Sequence, residues 1–244
     1  TIDGTQLFFT RRVDMYNEDF YGAARQKVNG WETAQPLRGS LNTPQSEGAM
    51  MISQDGNWLV FTGCYRPDSY GGCDLYISYK TKEGWSAAKN LGNRINSDQW
   101  ESQPCLSPDK RELYFASRRP GGFGGSDIYV SRLQDNGQWS DPENLGPGIN
   151  SSADEQCPFI HADNRTLYFA SNGLPGYGGS DLFMSSKKMD GTWTKPINLG
   201  YPINTIDNEG SIAVASDGIQ GYIASDRVDS RGGLDIYKVT LSKN

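Results

Sequence analysis

The sequence contains one histidine, His161, in 244 residues. Multi-histidine metal centres are therefore excluded, and no catalytic triad can be assembled around a single imidazole that has no partner motif. Positive charge is also scarce. Lys and Arg total 23 against 29 Asp and Glu, a net charge of −6, whereas a nucleic-acid binder needs a basic stripe to displace counterions. Apolar residues make up 36% of the chain, and no run of 18 of them exists, so no membrane-spanning helix is expected. The opening residues carry neither a basic segment nor an apolar core of a targeting peptide. The four cysteines form no CxxC pair, and no stretch combines helical periodicity with helix caps. Turn formers and aromatics are abundant instead, with Gly 29, Pro 12, Trp 6, Tyr 13 and Phe 9. That balance describes a folded, β-rich chain.

The dominant signal is an internal repeat. Leu7-Phe8-Phe9-Thr10 returns as Leu59-Val60-Phe61-Thr62, as Leu-Tyr-Phe-Ala-Ser at 113–117 and 167–171, and as Gly-Tyr-Ile-Ala-Ser at 221–225. The stride is 52 residues and then 54. A second marker follows each copy: Asp19-Phe20-Tyr21, Asp74-Leu75-Tyr76, Asp127-Ile128-Tyr129, Asp181-Leu182-Phe183 and Asp235-Ile236-Tyr237. A third is a tryptophan, Trp31, Trp85, Trp139 or Trp193, followed by Asn-Leu-Gly in all copies but the first. A fourth is a glutamate, Glu47, Glu101, Glu155 or Glu209.

Each unit holds four strand-like segments, which in the third copy are 101–107 (a), 112–117 (b), 127–132 (c) and 139–145 (d). Tight-turn residues separate a from b and c from d, and a glycine-rich loop, Pro-Gly-Gly-Phe-Gly-Gly at 120–125, joins b to c. Four antiparallel strands repeated at this spacing predict an all-β fold, a five-bladed β-propeller of four-stranded antiparallel blades. The blade repeats fall at 1–46, 47–100, 101–154, 155–208 and 209–244. The chain starts just before strand b of blade 1 and stops after strand c of blade 5. The seam is therefore expected at the chain ends, in a single domain cut from a longer polypeptide.

The third copy's Glu101, Pro104, Ser107-Pro108-Asp109, Leu-Tyr-Phe-Ala-Ser at 113–117 and Asp-Ile-Tyr-Val at 127–130 resemble the TolB-type, WD40-like β-propeller repeat. The fourth copy matches at Glu155, Pro158, Asp163 and 167–171, with His161 in the place of Ser107. The longer form, Pro-Gly-Tyr-Gly-Gly-Ser-Asp at 175–181 with Trp193 and Asn-Leu-Gly at 198–200, resembles propellers of Bacteroidetes envelope proteins. Those often precede an OmpA-like domain, and they include components of the type IX secretion system. The resemblance implies a periplasmic location at the outer membrane and a protein partner in the envelope. Any peptidoglycan contact would belong to a flanking domain not present in these residues.

In a ring of like blades, a residue that recurs in every copy is expected to be structural, unless a ligand sits on the axis. By that rule Asp74, Asp127, Asp181 and Asp235 fold their glycine-rich loops, and the tryptophans pack blades. Glu47, Glu101, Glu155 and Glu209 open strand a, the innermost strand. They are expected to ring the channel mouth, either as solvated or hydrogen-bonded structural carboxylates or around an axial cation or polar ligand. Repetition leaves no distinct acid and base for glycosidase chemistry, and Asp190-Gly191-Thr192-Trp193 is only a fragment of a sialidase-type Asp-box. No catalytic residue, cofactor or metal site is assigned, and an enzyme is not expected. Cys64 and Cys73 flank one b–c loop on neighbouring strands, where a disulfide forms if the compartment is oxidising. Cys105 and Cys157 are out of register and are expected to be free and buried.

Strand alternation puts the b–c loops and the d–a connectors on one face. Tyr70, Phe123, Tyr177 and Arg231 stand at equivalent loop points there, near Arg66, Arg118, Arg119 and Arg227. Trp100 interrupts the repeat, standing where other copies have Ser46, Asp154 and Asn208. Aromatics and arginine are the residues that protein interfaces favour. The expected partner-binding set is thus Tyr70, Trp100, Phe123, Tyr177, Arg66, Arg118 and Arg119, on a non-catalytic scaffold. A glycan-binding lectin is the alternative, since Trp and Tyr also stack on sugar rings, and a propeller glycosidase is a third reading.

Overall fold

The computed structural model describes residues 4–14, 17–27 and 30–241. Among the described residues it contains eighteen strands and no helix. Blade 1 consists of β1 (Gln6–Arg12), β2 (Glu18–Ala24) and β3 (Gln35–Pro36). Blade 2 is β4 (Ser46–Ile52), β5 (Trp58–Cys64), β6 (Cys73–Tyr79) and β7 (Lys89–Asn90). Blade 3 is β8 (Glu101–Leu106), β9 (Glu112–Ser117), β10 (Asp127–Arg132) and β11 (Glu143–Asn144). Blade 4 is β12 (Glu155–Ile160), β13 (Thr166–Ser171), β14 (Asp181–Ser186) and β15 (Ile197–Asn198). Blade 5 is β16 (Glu209–Val214), β17 (Gln220–Ser225) and β18 (Asp235–Thr240). Every sheet is an antiparallel meander in chain order. The fold is a five-bladed propeller whose blades have three or four strands.

Strand d is shorter than the sequence suggests. In blade 3 it spans two residues, and Trp139 makes only an isolated bridge to Leu133. Pro142 directly precedes the paired residues Glu143 and Asn144 and brings no N–H to a ladder. Strand a is kinked in each blade that has it. The register shifts between Gly48 and Met51, Ser102 and Cys105, Gln156 and Phe159, and Glu209 and Ser211. In three of these Ala49, Gln103 and Cys157 take left-handed φ values of 44°, 56° and 51°. Such a bulge sharpens the twist of the innermost strand.

The apolar core lies between blades rather than within them. One face of blade 2 (Val60, Leu75, Ile77) meets Leu106, Leu113 and Phe115 of blade 3. Tyr114, Ile128 and Val130 of blade 3 then meet Leu167, Phe169 and Phe183 of blade 4. Equivalent clusters join blade 1 to 2 and blade 4 to 5. Burying such faces returns about 25 cal/mol per Å² of apolar surface, which a lone sheet cannot gain. The tryptophans seal the rim: Trp193 of blade 4 lies edge-on to Tyr114 of blade 3 at 6.3 Å. Trp31 of blade 1 meets Tyr222 of blade 5 in the same way at 6.4 Å, which closes the circle on the outside.

Candidate binding face

The recurrent aspartates build the loops on this face. The Asp74 carboxylate accepts the N–H groups of Tyr70 (2.8 Å) and Gly71 (3.1 Å) and the Asn90 side-chain amide (2.7 Å). Asp127 does the same for Phe123 (2.6 Å), Gly124 (3.0 Å) and Asn144 (2.7 Å). Asp181 takes the N–H of Tyr177, and Asp235 that of Arg231, each at 2.5 Å. In blades 2 to 5 the carboxylate thus grips the backbone of the residue whose side chain stands at the loop tip. The glycine after the tip aromatic permits a second fastening. A Cβ at Gly71, Gly124 or Gly178 would come within 2.1, 1.9 or 2.3 Å of the carbonyl oxygen of Gln99, Ala153 or Asp207 in the adjoining connector. The next glycine then donates to that same oxygen, at 2.8 Å from Gly72 and Gly125 and 3.1 Å from Gly179.

The connectors are fixed in turn by an asparagine that the sequence reading passed over. Asn96 accepts the Leu75 N–H (2.8 Å) and donates to the Leu75 carbonyl (3.1 Å). Asn42, Asn150 and Asn204 clasp Phe20, Ile128 and Leu182 in the same way. The signal was present as Leu-Asn at 41–42 and Ile-Asn at 95–96, 149–150 and 203–204.

The four glutamates do not open into a channel mouth. Glu47, Glu101, Glu155 and Glu209 are each 0% exposed. Glu101 accepts the Ser97 N–H and hydroxyl and the Ser117 hydroxyl, all at 2.7 Å. Glu47, Glu155 and Glu209 likewise take the N–H and hydroxyl of Thr43, Ser151 and Thr205. They staple each connector to its own blade. Arg66 and Arg119, expected on the binding face, turn inward to the same carboxylates, Arg66 at 2.7 Å from Glu47 and Arg119 at 3.4 Å from Glu101. Their guanidinium groups lie over Tyr76 and Tyr129, which removes them from the partner-binding set. Burial lowers the pKa of Arg119, and the charge of Glu101 opposes that shift. Arg227 repeats the arrangement with Glu209 and Tyr237. Blade 4 has Gly173 in the place of the arginine, so among the described residues no cation meets Glu155.

Tyr70, Phe123, Tyr177 and Arg118 are exposed on the loop face, as is Arg231. Trp100 is half-buried, with the Arg118 guanidinium 4.9 Å above its ring. The structure adds residues not chosen from sequence: Val13, Tyr65, Tyr201, Ile206, Val228 and Leu234. Of thirteen large apolar or aromatic side chains left exposed among the described residues, nine lie on the b–c loops and d–a connectors; the opposite face presents Met189 alone. Cys64 and Cys73 are joined by a disulfide, with Cα atoms 4.0 Å apart. It ties the base of the loop that carries Tyr65 and Tyr70, and Tyr65 N–H donates to the Gly72 carbonyl across it (2.9 Å). Cys105 and Cys157 are free, Cys105 buried and Cys157 half-buried rather than fully enclosed. Burial pushes both thiols up to about 12.

No protein-family model and no curated protein sequence matches this chain. Its fold is that of known propellers. TolB from Acinetobacter baumannii superposes with a TM-score of 0.59 at 12% identity, over 98% of this chain and 53% of that one. This chain thus spans about half the length of that protein. A TolB from Agrobacterium tumefaciens gives 0.57 at 15% identity, over 97% and 81%. An α-L-arabinofuranosidase from Lactobacillus brevis gives 0.66 at 14% identity, over 98% and 88%. These likenesses define the fold, a β-propeller of the kind found in TolB and in glycoside hydrolases alike.

Proposed function

We propose that this propeller is a non-catalytic protein-binding scaffold of the bacterial cell envelope, which docks its partner on the glycine-loop face. The observation that carries the reading is the segregation of exposed apolar side chains. Nine of thirteen lie on one face, mounted on loops whose backbone is fastened by Asp74, Asp127 and Asp181. Apolar side chains gathered on one face are what an interaction site presents, and tips held in place before binding lose less entropy on docking. The Cys64–Cys73 disulfide supports an oxidising compartment such as the periplasm. The full repeat pattern adds the finer part of the proposal: association with the outer membrane as a component of the type IX secretion system, of PorE type.

The recurrent carboxylates support the non-catalytic part. A glycosidase needs an acid and a base or nucleophile open to the sugar, roughly 5–9.5 Å apart, whereas these glutamates are 0% exposed and fully engaged in hydrogen bonds. The test immobilises the wild-type chain and a Phe123→Ala/Tyr177→Ala/Tyr201→Ala variant and exposes both to Bacteroidetes envelope extract. The reading expects a defined set of proteins retained by the wild type and lost by the variant, at equal Tm. Binding on a glycan array would favour the lectin reading instead, and turnover of chromogenic glycosides would favour the hydrolase.

A further inference from the structure

The loop face differs from the rest of the molecule in its charge. Among the described residues no lysine stands on a b–c loop or a d–a connector; each one lies in a strand or on an a–b or c–d hairpin. Arginine is present, but Arg66, Arg119 and Arg227 turn inward to the strand-a glutamates, and Arg94 reaches out to Asp141 of a c–d hairpin at 3.8 Å. Carboxylates remain: Asp68, Asp98 and Asp229 are exposed, and Asp154, Asp207 and Asp226 are half-buried. Against them stand the exposed Arg38, Arg118 and Arg231. The apolar side chains of this face are thus set in a surplus of negative charge.

One loop on this face also breaks the repeat. Fifteen positions separate Leu59 from Asp74 in blade 2, against fourteen from Leu113 to Asp127 and from Leu167 to Asp181. The added length extends the b–c ladder by one pair, Cys64 with Cys73, which the disulfide locks. Tyr65 follows directly. Its backbone is left-handed, with φ 53°, and the residue is 80% exposed. A bulky residue holds that conformation only where its surroundings impose it. Here the disulfide and the bond from the Tyr65 N–H to the Gly72 carbonyl (2.9 Å) do so. Packing does not account for a ring turned out to solvent.

The neighbouring connector completes a notch. Gly72 N–H donates to the Gln99 carbonyl (2.8 Å), Cys73 bridges Trp100, and Arg118 N–H donates to the Trp100 carbonyl (2.9 Å). Tyr65, Asp68 and Tyr70 of the loop therefore stand beside Asp98 and Trp100 of the connector. The Tyr76 hydroxyl donates to Asp68 (2.9 Å), which orients that carboxylate. Arg118, 4.9 Å above the Trp100 ring, is a cation already held on an aromatic face at this spot. We infer that the notch takes a basic side chain, lysine or arginine, from an otherwise apolar segment of the partner polypeptide, laid against the Tyr65 and Tyr70 rings with its charge toward Asp68 and Asp98. Aromatic faces and carboxylates both attract a cation, and the acidic surround rejects an acidic partner. The inference rests on the loop-face reading and adds the charge that the partner must carry.

The probes are two fluorescein-labelled peptides, three repeats of Leu-Lys-Gly or of Leu-Glu-Gly, whose binding to the 244-residue chain is followed by fluorescence anisotropy. Saturable binding of the lysine peptide alone is expected, weakening as salt rises. Asp68→Asn/Asp98→Asn should lower its affinity at least tenfold and Tyr65→Ala at least threefold, while Tyr65→Phe, which keeps the ring, should preserve it. Glu83→Gln/Asp135→Asn removes the same charge from the opposite side and should leave affinity within twofold, which separates the notch from a general charge effect. All five positions are exposed, so each variant should keep the wild-type Tm. No binding of the lysine peptide, equal binding of both peptides, or equal losses in the two double variants overturns the inference. If the triple alanine variant of the loop tips loses partner capture while the wild type ignores the lysine peptide, the loop face stands as a docking site and this inference alone falls.

Discussion

Replacing Glu101 and Glu155 separately by glutamine compares two almost identical sites that differ by one cation. Both carboxylates are 0% exposed. Each accepts one backbone N–H and two hydroxyls, from Ser97 and Ser117 in blade 3 and from Ser151 and Ser171 in blade 4. Only Glu101 also faces a guanidinium, that of Arg119, whose side chain is 16% exposed. A glutamine keeps the shape but turns one acceptor into a donor, so a charge-assisted bond worth about 1.5–3 kcal/mol is lost at either site. At Glu101 the change also leaves Arg119 without its counter-charge. Breaking a buried pair on one side costs about 3–5 kcal/mol, but Arg119 keeps its bond to the Ile95 carbonyl (2.6 Å) and its place on the Phe115 and Tyr129 rings. The expected losses are about 3–4 kcal/mol for Glu101→Gln and about 1.5–2 kcal/mol for Glu155→Gln. At this chain length 1 kcal/mol moves Tm by about 2–4 °C, so the two variants should differ by several degrees in calorimetry. Denaturant midpoints should order them the same way. Equal losses, or a larger loss at Glu155, would refute the argument that the arginine seat matters.

Three further outcomes are expected. Asp127→Ala removes both oxygens that accept the Phe123 and Gly124 N–H groups; it should release that loop tip, seen as faster amide exchange at 121–125, with little change in the rest of blade 3. Thiol counting by mass under non-reducing conditions should give two free cysteines and one disulfide, and because burial holds both free thiols near 12, iodoacetamide at about pH 8 should label them only after unfolding. Glu112 is buried, which opposes its ionisation, but hydrogen bonds from Lys187 and Tyr114 outweigh burial and hold its carboxyl below the ordinary 4.5. Its stabilisation is therefore present above that pH and is lost as the pH falls through the lower folded value. Wild type should exceed Glu112→Gln in Tm at neutral pH, and the gap should close in acid.

The blade count and the roles of the aspartates and tryptophans were legible because each lies on a strand or turn whose periodicity fixes its neighbours. The glutamates were misplaced for a physical reason. Strand alternation puts Glu101 at the end of the innermost strand, but whether that end is open depends on how the connector returns over it. That path is set by Ile95-Asn96 and Ser97, which have no strand-like pattern and so escaped a reading keyed to alternation. Arg66, Arg119 and Arg227 were assigned outward because aromatic-rich loops with arginine look like interfaces. Their recurrence in three blades obeyed the same rule that had marked the aspartates as structural, and the one-residue offset of Arg66 relative to the other two hid it. Tyr201 and Ile206 lie in a connector that has no strand-like pattern, where the departure from the repeat that stood out was Trp100.

Repetition and exposure are joined in one device on the loop face. The Asp127 carboxylate does not touch a partner, yet it fixes the backbone of Phe123, and the following glycine seats the loop on the Ala153 carbonyl of the connector. A flexible loop presenting Phe123 would lose roughly 0.5–1.5 kcal/mol per immobilised side chain on docking, with backbone ordering added. Three such tips, at Tyr70, Phe123 and Tyr177, are ordered before any partner arrives. The side chains at those points vary between blades while the carboxylates beneath them do not. Residues that recur therefore set the geometry of this face, and residues that differ set what it selects. On that division, exchanging Phe123 and Arg231 between their tips should preserve stability and alter partner choice, whereas exchanging any supporting aspartate for alanine should erode both.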